Sequence, residues 1–368
     1  MVEPFKNFIN PKLIKNMSVS LKEAWTDFGD NSFTAHATDG LEELELKARS
    51  EHITDALVKH LPDDFIETSK ILLNSLADED RKNGISGWAI APITYYVALK
   101  GKAHLEISMK LLKEMTKRFT AEFDIRFFIM ENQDAVLEIL NSWLDDPDHH
   151  VRRLISEGTR PRLPWGLKLQ TFVDDPRPII PLLEALKDDE EEYVRRSVAN
   201  NLNDIAKDHP DLVADIAAKW LENAGKNRTR LVKHACRTLI KQGHKNTLKA
   251  LGYDEPQVDI KQFNIVNSKV VFGTVLEFGI EIKSTLPNDQ NIIIDYAIHH
   301  RKANGNTSPK VFKWKTTTLK ADQHLNAIKK HKIVAITTRV YYPGIHSVEI
   351  LINGKSYGRR DFELIIDK

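Results

Sequence analysis

Two segments of this chain repeat each other at a fixed spacing. Asp145-Asp146 followed by Val151-Arg152-Arg153-Leu154-Ile155 is matched 43 residues later by Asp188-Asp189 and Val194-Arg195-Arg196-Ser197-Val198. A weaker third copy, Val232-Lys233-His234-Ala235-Cys236, follows after a further 38 residues. A period near 40 residues with two helices per unit is the mark of HEAT-like repeats. Such pairs stack on their neighbours, and the expected product is a curved solenoid with a concave binding face.

The rest of the chain fits this frame up to about residue 252. Ala48–His60, Phe65–Leu76, Leu105–Arg118 and Ala135–Leu144 all place apolar residues three and four apart, and most prolines fall between them. Beyond Pro256 the texture changes to β-branched alternation, at Val270–Ile282, Ile292–His299, Val311–Thr318, Ile333–Tyr341 and Val348–Ile352. The Asn353-Gly354 pair has the residue choice of a type I′ hairpin. The expectation is an all-α HEAT-like repeat solenoid over 1–254 followed by an all-β immunoglobulin-like sandwich of some seven strands over 257–368.

Composition narrows the function classes. With 41% hydrophobic and 29% charged residues the chain has a globular composition, and no apolar run is long enough to span a bilayer. The first residues lack the apolar core of a signal peptide. Cys236 is the one cysteine, so neither an internal disulfide nor a cysteine-built zinc site is available, and a cytoplasmic location is expected. His149-His150 and His299-His300 are adjacent pairs that cannot share a helix face, and they are read as non-ligands. The net charge of +1 hides a segregation: residues 257–368 hold 17 Lys and Arg against 10 Asp and Glu. Lys226–Ala250 carries eight basic residues and no acid, among them Lys233, Arg237 and Lys241. Segregated basic strips point to nucleic acid, although a solvated helix face looks the same in sequence.

On the helix that starts near Asp148, Arg153, Glu157 and Arg160 share one face, away from Val151, Leu154 and Ile155. The next copy projects Arg196, Asn200 and Asn203 at the same angle with Asp204 beside them, and the third projects His234, Thr238 and Lys241. Two readings fit: ordinary (i, i+4) ion pairs on an exposed face, or one polar, mostly basic cradle with a few acids. After the first of these helices, Pro161 and Pro164 forbid helix continuation, which sets Trp165 in a rigid, extended stretch beside Arg160 and Arg162. Trp165 either plugs the gap between repeats or offers its ring to a sugar or a cationic base. Upstream, Phe119–Met130 reads as a helix with Phe119, Phe123, Phe127 and Met130 toward the core and a Glu122–Arg126 pair on its other side.

Val151-Arg152-Arg153-Leu154-Ile155-Ser156-Glu157-Gly158-Thr159-Arg160-Pro161-Arg162-Leu163-Pro164-Trp165-Gly166 resembles the AlkC family of bacterial DNA alkylation-repair glycosylases. Gly87-Trp88-Ala89-Ile90 fits the same family, and the resemblance covers roughly residues 1–252. The C-terminal sandwich, with Pro343-Gly344-Ile345-His346-Ser347-Val348-Glu349, resembles the immunoglobulin-like domain of one AlkC subgroup. The resemblance implies excision of cationic N-alkylated bases, such as 3-methyladenine and 3-methylcytosine, from duplex DNA without base flipping. It also implies catalytic roles for Glu122, Glu157 and Asp204, an aromatic wall at Trp165, and DNA contacts at Arg153 and Arg160, with Arg152 and Arg153 open to exchange.

The chemistry suits these residue types. An alkylated ring nitrogen makes the base a good leaving group and the sugar oxocarbenium-like. One carboxylate about 4 Å from that cation is worth about 4 kcal/mol at an effective dielectric near 20, some three decades in rate. A second can position the attacking water. No cofactor or metal is called for. Duplex DNA is the expected partner, held at phosphates by the arginines near Arg152 and Arg162, by Arg196 and by the basic strip, with loop residues near Lys302, Lys310 or His346 as candidates on the sandwich. No obligate protein partner is expected. The alternatives are a non-catalytic HEAT scaffold that binds DNA structures or a protein partner, and a peptide-binding solenoid.

Overall fold

The computed structural model describes residues 3–78 and 84–366, which fall into two units, Met1–Ile205 and Ala206–Lys368. Unit 1 is helical: α1 (Pro11–Ala24), α2 (Asp30–Thr38), α3 (Leu46–His60), α4 (Phe65–Ser75), α5 (Ile90–Lys100), α6 (Leu105–Thr116), α7 (Ile125–Glu131), α8 (Gln133–Asn141), α9 (His149–Gly158), α10 (Gln170–Asp174), α11 (Ile180–Leu186) and α12 (Glu192–Ile205). Helix α1 packs on α2 and α4, α5 on α3 and α6, and α9 lies against α12 and α11.

The repeated residues explain how α9 and α12 are built. Asp148 caps α9 by accepting from the His150 N–H at 2.7 Å. Val151, Leu154 and Ile155 then bury one stripe, as Val194, Val198 and Leu202 do on α12. The first arginine of each doublet folds back over the turn before its helix. Arg152 Nη1 donates to the carbonyls of Asp146 (2.8 Å) and Pro147 (3.2 Å), and Arg195 Nη1 donates to those of Asp189 and Glu190, 43 residues on. The repeated aspartate receives a cation from the preceding repeat: Lys113 reaches Asp146 at 2.5 Å, and Arg152 Nε reaches Asp189 at 2.7 Å. The period thus encodes a contact that each repeat makes with the next.

Three local expectations are corrected. The helix expected over Phe119–Met130 begins only at Ile125, so Glu122 lies in the preceding turn. Ala121, Ile125, Phe128 and Ile129 are buried there, while Met130 is 60% exposed. Arg126 is fully buried and points inward, so no Glu122–Arg126 surface pair forms. Trp165 is not extended: its φ is +65°, inside a turn closed by the Gly166 N–H to the Leu163 carbonyl at 3.1 Å. With 80% of its surface exposed, it plugs nothing.

Unit 2 begins with α13 (Pro210–Leu221), α14 (Lys226–Ala235), α15 (Arg237–Gln242) and α16 (Lys245–Ala250). The third copy of the repeat is therefore split, because the helix breaks at buried Cys236 between His234 and Thr238. Eight strands follow: β1 (Val258–Ile265), β2 (Lys269–Val271), β3 (Val275–Ser284), β4 (Gln290–Arg301), β5 (Thr307–Leu319), β6 (His324–Lys332), β7 (Gly344–Ile352) and β8 (Lys355–Ile365). They form sheets of order β1-β3-β6 and β2-β8-β7-β4-β5.

Alternate residues of β3 (Leu276, Phe278, Ile280, Ile282) meet Ile292, Ile294, Tyr296 and Ile298 of β4 in the sandwich core. Asn353 (φ +46°) and Gly354 (φ +75°) turn the β7–β8 hairpin, both in the left-handed region that a type I′ turn requires. The strand expected over Ile333–Tyr341 is absent there; β6 lies just before it. As the outer strand of a three-stranded sheet, β6 has no fully buried residue, so its sequence lacks the apolar alternation that marks the others.

Candidate active site

A chain of alternating charges runs across α9 and its neighbours in unit 1. Glu122 Oε2 accepts from Arg153 Nη1 at 2.6 Å, and Arg153 Nη2 stands 3.7 Å from Glu157 Oε1. The same Glu157 oxygen accepts from Arg160 Nη1 at 2.7 Å, and Arg160 Nε donates to Asp204 Oδ2 at 2.8 Å. All three acids and Arg160 are buried, which rules out ion pairs on an exposed face. Arg153 and Arg160, expected as DNA contacts, lie between the carboxylates.

The fold fixes each acid by hydrogen bonds. Thr120 Oγ1 donates to Glu122 Oε2 at 2.8 Å from within the same turn. Ser197 of α12 donates to Glu157 Oε2 at 2.7 Å while accepting from Ser156 at 2.7 Å. Asn201 Nδ2 donates to the Ser156 carbonyl at 2.9 Å and to Thr159 Oγ1 at 3.1 Å, locking the end of α9 onto α12. Small side chains at this contact let polar groups meet directly, although the buried Asn201 Oδ1 has no partner among the described residues.

The electrostatics follow from burial and neighbours. Burial opposes the charge of Arg153, but Glu122 and Glu157 outweigh it and hold the guanidinium above its ordinary range. Arg160 is likewise opposed by burial and raised overall by Asp204 and Glu157. Asp124, buried behind the Glu122 turn, is pushed up to about 7 by desolvation, against the Thr94 hydroxyl and Lys47.

A cavity of about 390 Å³ opens beside Glu122 and Arg153, lined also by Lys117, Phe119, His150 and Tyr193. The Arg153 guanidinium lies 4.8 Å from the centre of the Tyr193 ring. Trp88, from the Gly87-Trp88-Ala89-Ile90 motif, backs Phe119 with ring centres 5.1 Å apart. Phe119, Tyr193, Ser197 and Thr120 are not among the residues the sequence singles out for the site. Periodicity points Phe119 to the core, and the others reach the site through contacts that no spacing encodes.

The remaining candidates separate. Arg152 grips Asp189 through Nε and Nη2 (2.7 and 3.1 Å), so the doublet sends Arg153, not Arg152, to the acids. Arg162 is half-buried beyond α9, and Trp165 projects from the turn that follows. Arg196 is exposed on α12. In unit 2, Lys233 and Lys241 are exposed, whereas Arg237 donates to the His234 carbonyl at 2.7 Å. Among the described residues no group of three or more His, Cys, Asp or Glu side chains has the geometry to hold a metal ion, and no helix is long and apolar enough to cross a membrane.

Residues 259–366 match the family described as "Uncharacterised protein YhaZ, C-terminal Ig-like domain". Over 362 residues the chain is 36% identical to the uncharacterized protein YhaZ of Bacillus subtilis (strain 168), covering 98% of this chain and 99% of that protein. It also resembles the structure of Pseudomonas fluorescens alkylpurine DNA glycosylase AlkC bound to DNA containing an abasic site analog. That similarity has a TM-score of 0.88 at 34% identity, over 99% of this chain and 100% of the other.

Proposed function

The chain belongs to the AlkC/YhaZ family, and on that premise we propose that it is a monofunctional DNA glycosylase for cationic N-alkylated bases in duplex DNA. The observation that carries this reading is the buried row of three carboxylates, Glu122, Glu157 and Asp204, with Trp165 exposed nearby in sequence. A scaffold uses single buried acids such as Asp189 to join repeats, but has no need to line up three of them through shared arginines beside a cavity.

Catalysis needs negative charge where the sugar becomes cationic. Glu122 borders the cavity and is the acid best placed to face an oxocarbenium-like deoxyribose. Glu157 and Asp204, held by Arg160 and Ser197, orient the attacking water and take up its proton. Arg153 keeps the resting acids satisfied. Its guanidinium has Tyr193 as a second partner when a lesion cation draws Glu122 away. A neutral base offers no such exchange, which favours cationic substrates such as 3-methyladenine and 3-methylcytosine. Trp165 supplies an open aromatic wall rather than an enclosed slot, which supports action on a base left in the stack. The exposed Lys233, Lys241 and Arg196 and the basic sandwich are proposed as phosphate contacts.

The test is release of 3-methyladenine from a methylated duplex, with Glu157→Gln alongside. Release by the parent and none by the variant supports the reading. No release by either, with salt-sensitive duplex binding kept, favours a scaffold instead. A 2-aminopurine placed beside the lesion would brighten on binding if the base were flipped.

A further inference from the structure

Among the described residues Arg126 is the largest charged side chain that is fully buried, and the chemistry above leaves it unused. Its Nε donates to the Leu167 carbonyl at 2.7 Å, Nη2 reaches the same oxygen, and Nη1 donates to the Gly158 carbonyl at 2.9 Å. Leu167 lies two residues beyond Trp165, and Gly158 directly follows Glu157 at the end of α9. One rigid planar group therefore ties the tryptophan loop to the helix end that carries a catalytic acid. The loop's other main-chain ties run from Gly166 to Leu163 and from Leu169 to Pro161, both at 3.1 Å and internal to it, and from Arg160 at its start to the Glu157 carbonyl at 3.3 Å, which leaves Leu167 to be held from outside by Arg126.

Gly158 is shaped for this contact. A Cβ there would stand 2.8 Å from Ile125 Cγ2, so only glycine lets α9 end this close to α7. A guanidinium is also the side chain suited to the task, since its fork serves two carbonyls at once and keeps its charge when buried. Burial and the nearby Arg160 lower it to about 10, still protonated near neutrality, with Asp204, Glu122 and Glu157 opposing.

We propose that Arg126 is a positioning residue that sets Trp165 against Glu157 by holding the Leu167 and Gly158 carbonyls in one fork. The proposal rests on the glycosylase reading for its kinetic arm only. A displacement of about 1 Å can cost roughly a hundredfold in rate. Arg126→Met should therefore lower kcat about 30- to 100-fold while the duplex Kd stays within about threefold. With Trp165→Ala already present, the same change should cost less than about threefold, because coupled residues do not add. Arg126→Lys, which restores one donor, should recover part of the loss.

Equal losses in both backgrounds, or a loss confined to Kd, would overturn the proposal. Should Arg126→Met not fold, Gly158→Ala disturbs the same contact from the other side and should show the same non-additivity with Trp165→Ala. Time-resolved anisotropy of Trp165, taken as the difference between each protein and its Trp165→Phe partner, needs no chemistry. It should fall in Arg126→Lys, and an unchanged value would count against the tie. If the parent excises nothing, the glycosylase reading fails while the anisotropy still decides the role of Arg126.

Discussion

Helices α9 and α12 carry the same Val-Arg-Arg doublet and use its second member in opposite ways. Arg152 and Arg195 both cap the turn before their helix. Arg153 then sits between two acids, whereas Arg196 faces solvent. Two acids go with the difference: Glu122 takes a hydrogen bond from Arg153 at 2.6 Å, and one helical turn on α9 has Glu157 where α12, 43 residues later, has Asn200. Adjacent residues of one repeat thus differ in use: the first joins repeats, and the second meets the carboxylates only in α9.

The strongest way to break this contrast is to give α9 the amide. Glu157→Gln keeps the shape and removes the group proposed to deprotonate the water, and single-turnover excision should fall about a thousandfold with duplex affinity retained. Next comes the shared role. Arg152→Ala leaves Asp189 buried without its bidentate partner and should cost about 3–5 kcal/mol, while Arg195→Ala loses only carbonyl contacts and should cost about 1–2 kcal/mol. Urea titration of the two variants would measure the gap. Equal losses would mean that the Asp189 pair contributes nothing.

The buried side of the contrast also predicts a pH effect. Asp124 rises from 3.8 to about 7 in the folded chain, so folding there binds a proton. Its stabilisation is complete below about pH 4 and is lost as pH rises through about 7. Asp124→Asn should change stability least near pH 4 and raise it near pH 8, by about 1 kcal/mol or more, flattening the profile in denaturant titrations. The exposed side predicts the smallest change. Arg196→Ala should weaken duplex binding a few-fold and reduce the log–log salt slope by about one.

Much of this was legible because periodicity encodes it. The doublets fix α9 and α12, and the Pro161–Trp165 run marks a break in the helix with an aromatic ring beyond it. Glu122 was legible only through family resemblance. It reaches Arg153 across 31 residues from a turn, and neither helical spacing nor apolar pattern records such a contact. Arg126 misled for a related reason: an arginine four residues from a glutamate looks like a surface pair, and only tertiary packing turns it inward. On the sandwich, β3 announces itself by alternation, while β6, with half its residues exposed, does not. Burial is what writes pattern into sequence, and elements without it stay unread.

The backbone of Trp165 has a cost that its neighbours do not share. A φ of +65° is uphill by about 1–2 kcal/mol for any residue with a Cβ, and a ring that is 80% exposed returns little of that through burial. Glycine or asparagine would sit there more comfortably. A population selected for heat resistance alone would therefore lose this tryptophan early, and with it, on the proposed role of the ring, excision would fade before the melting temperature gave any warning.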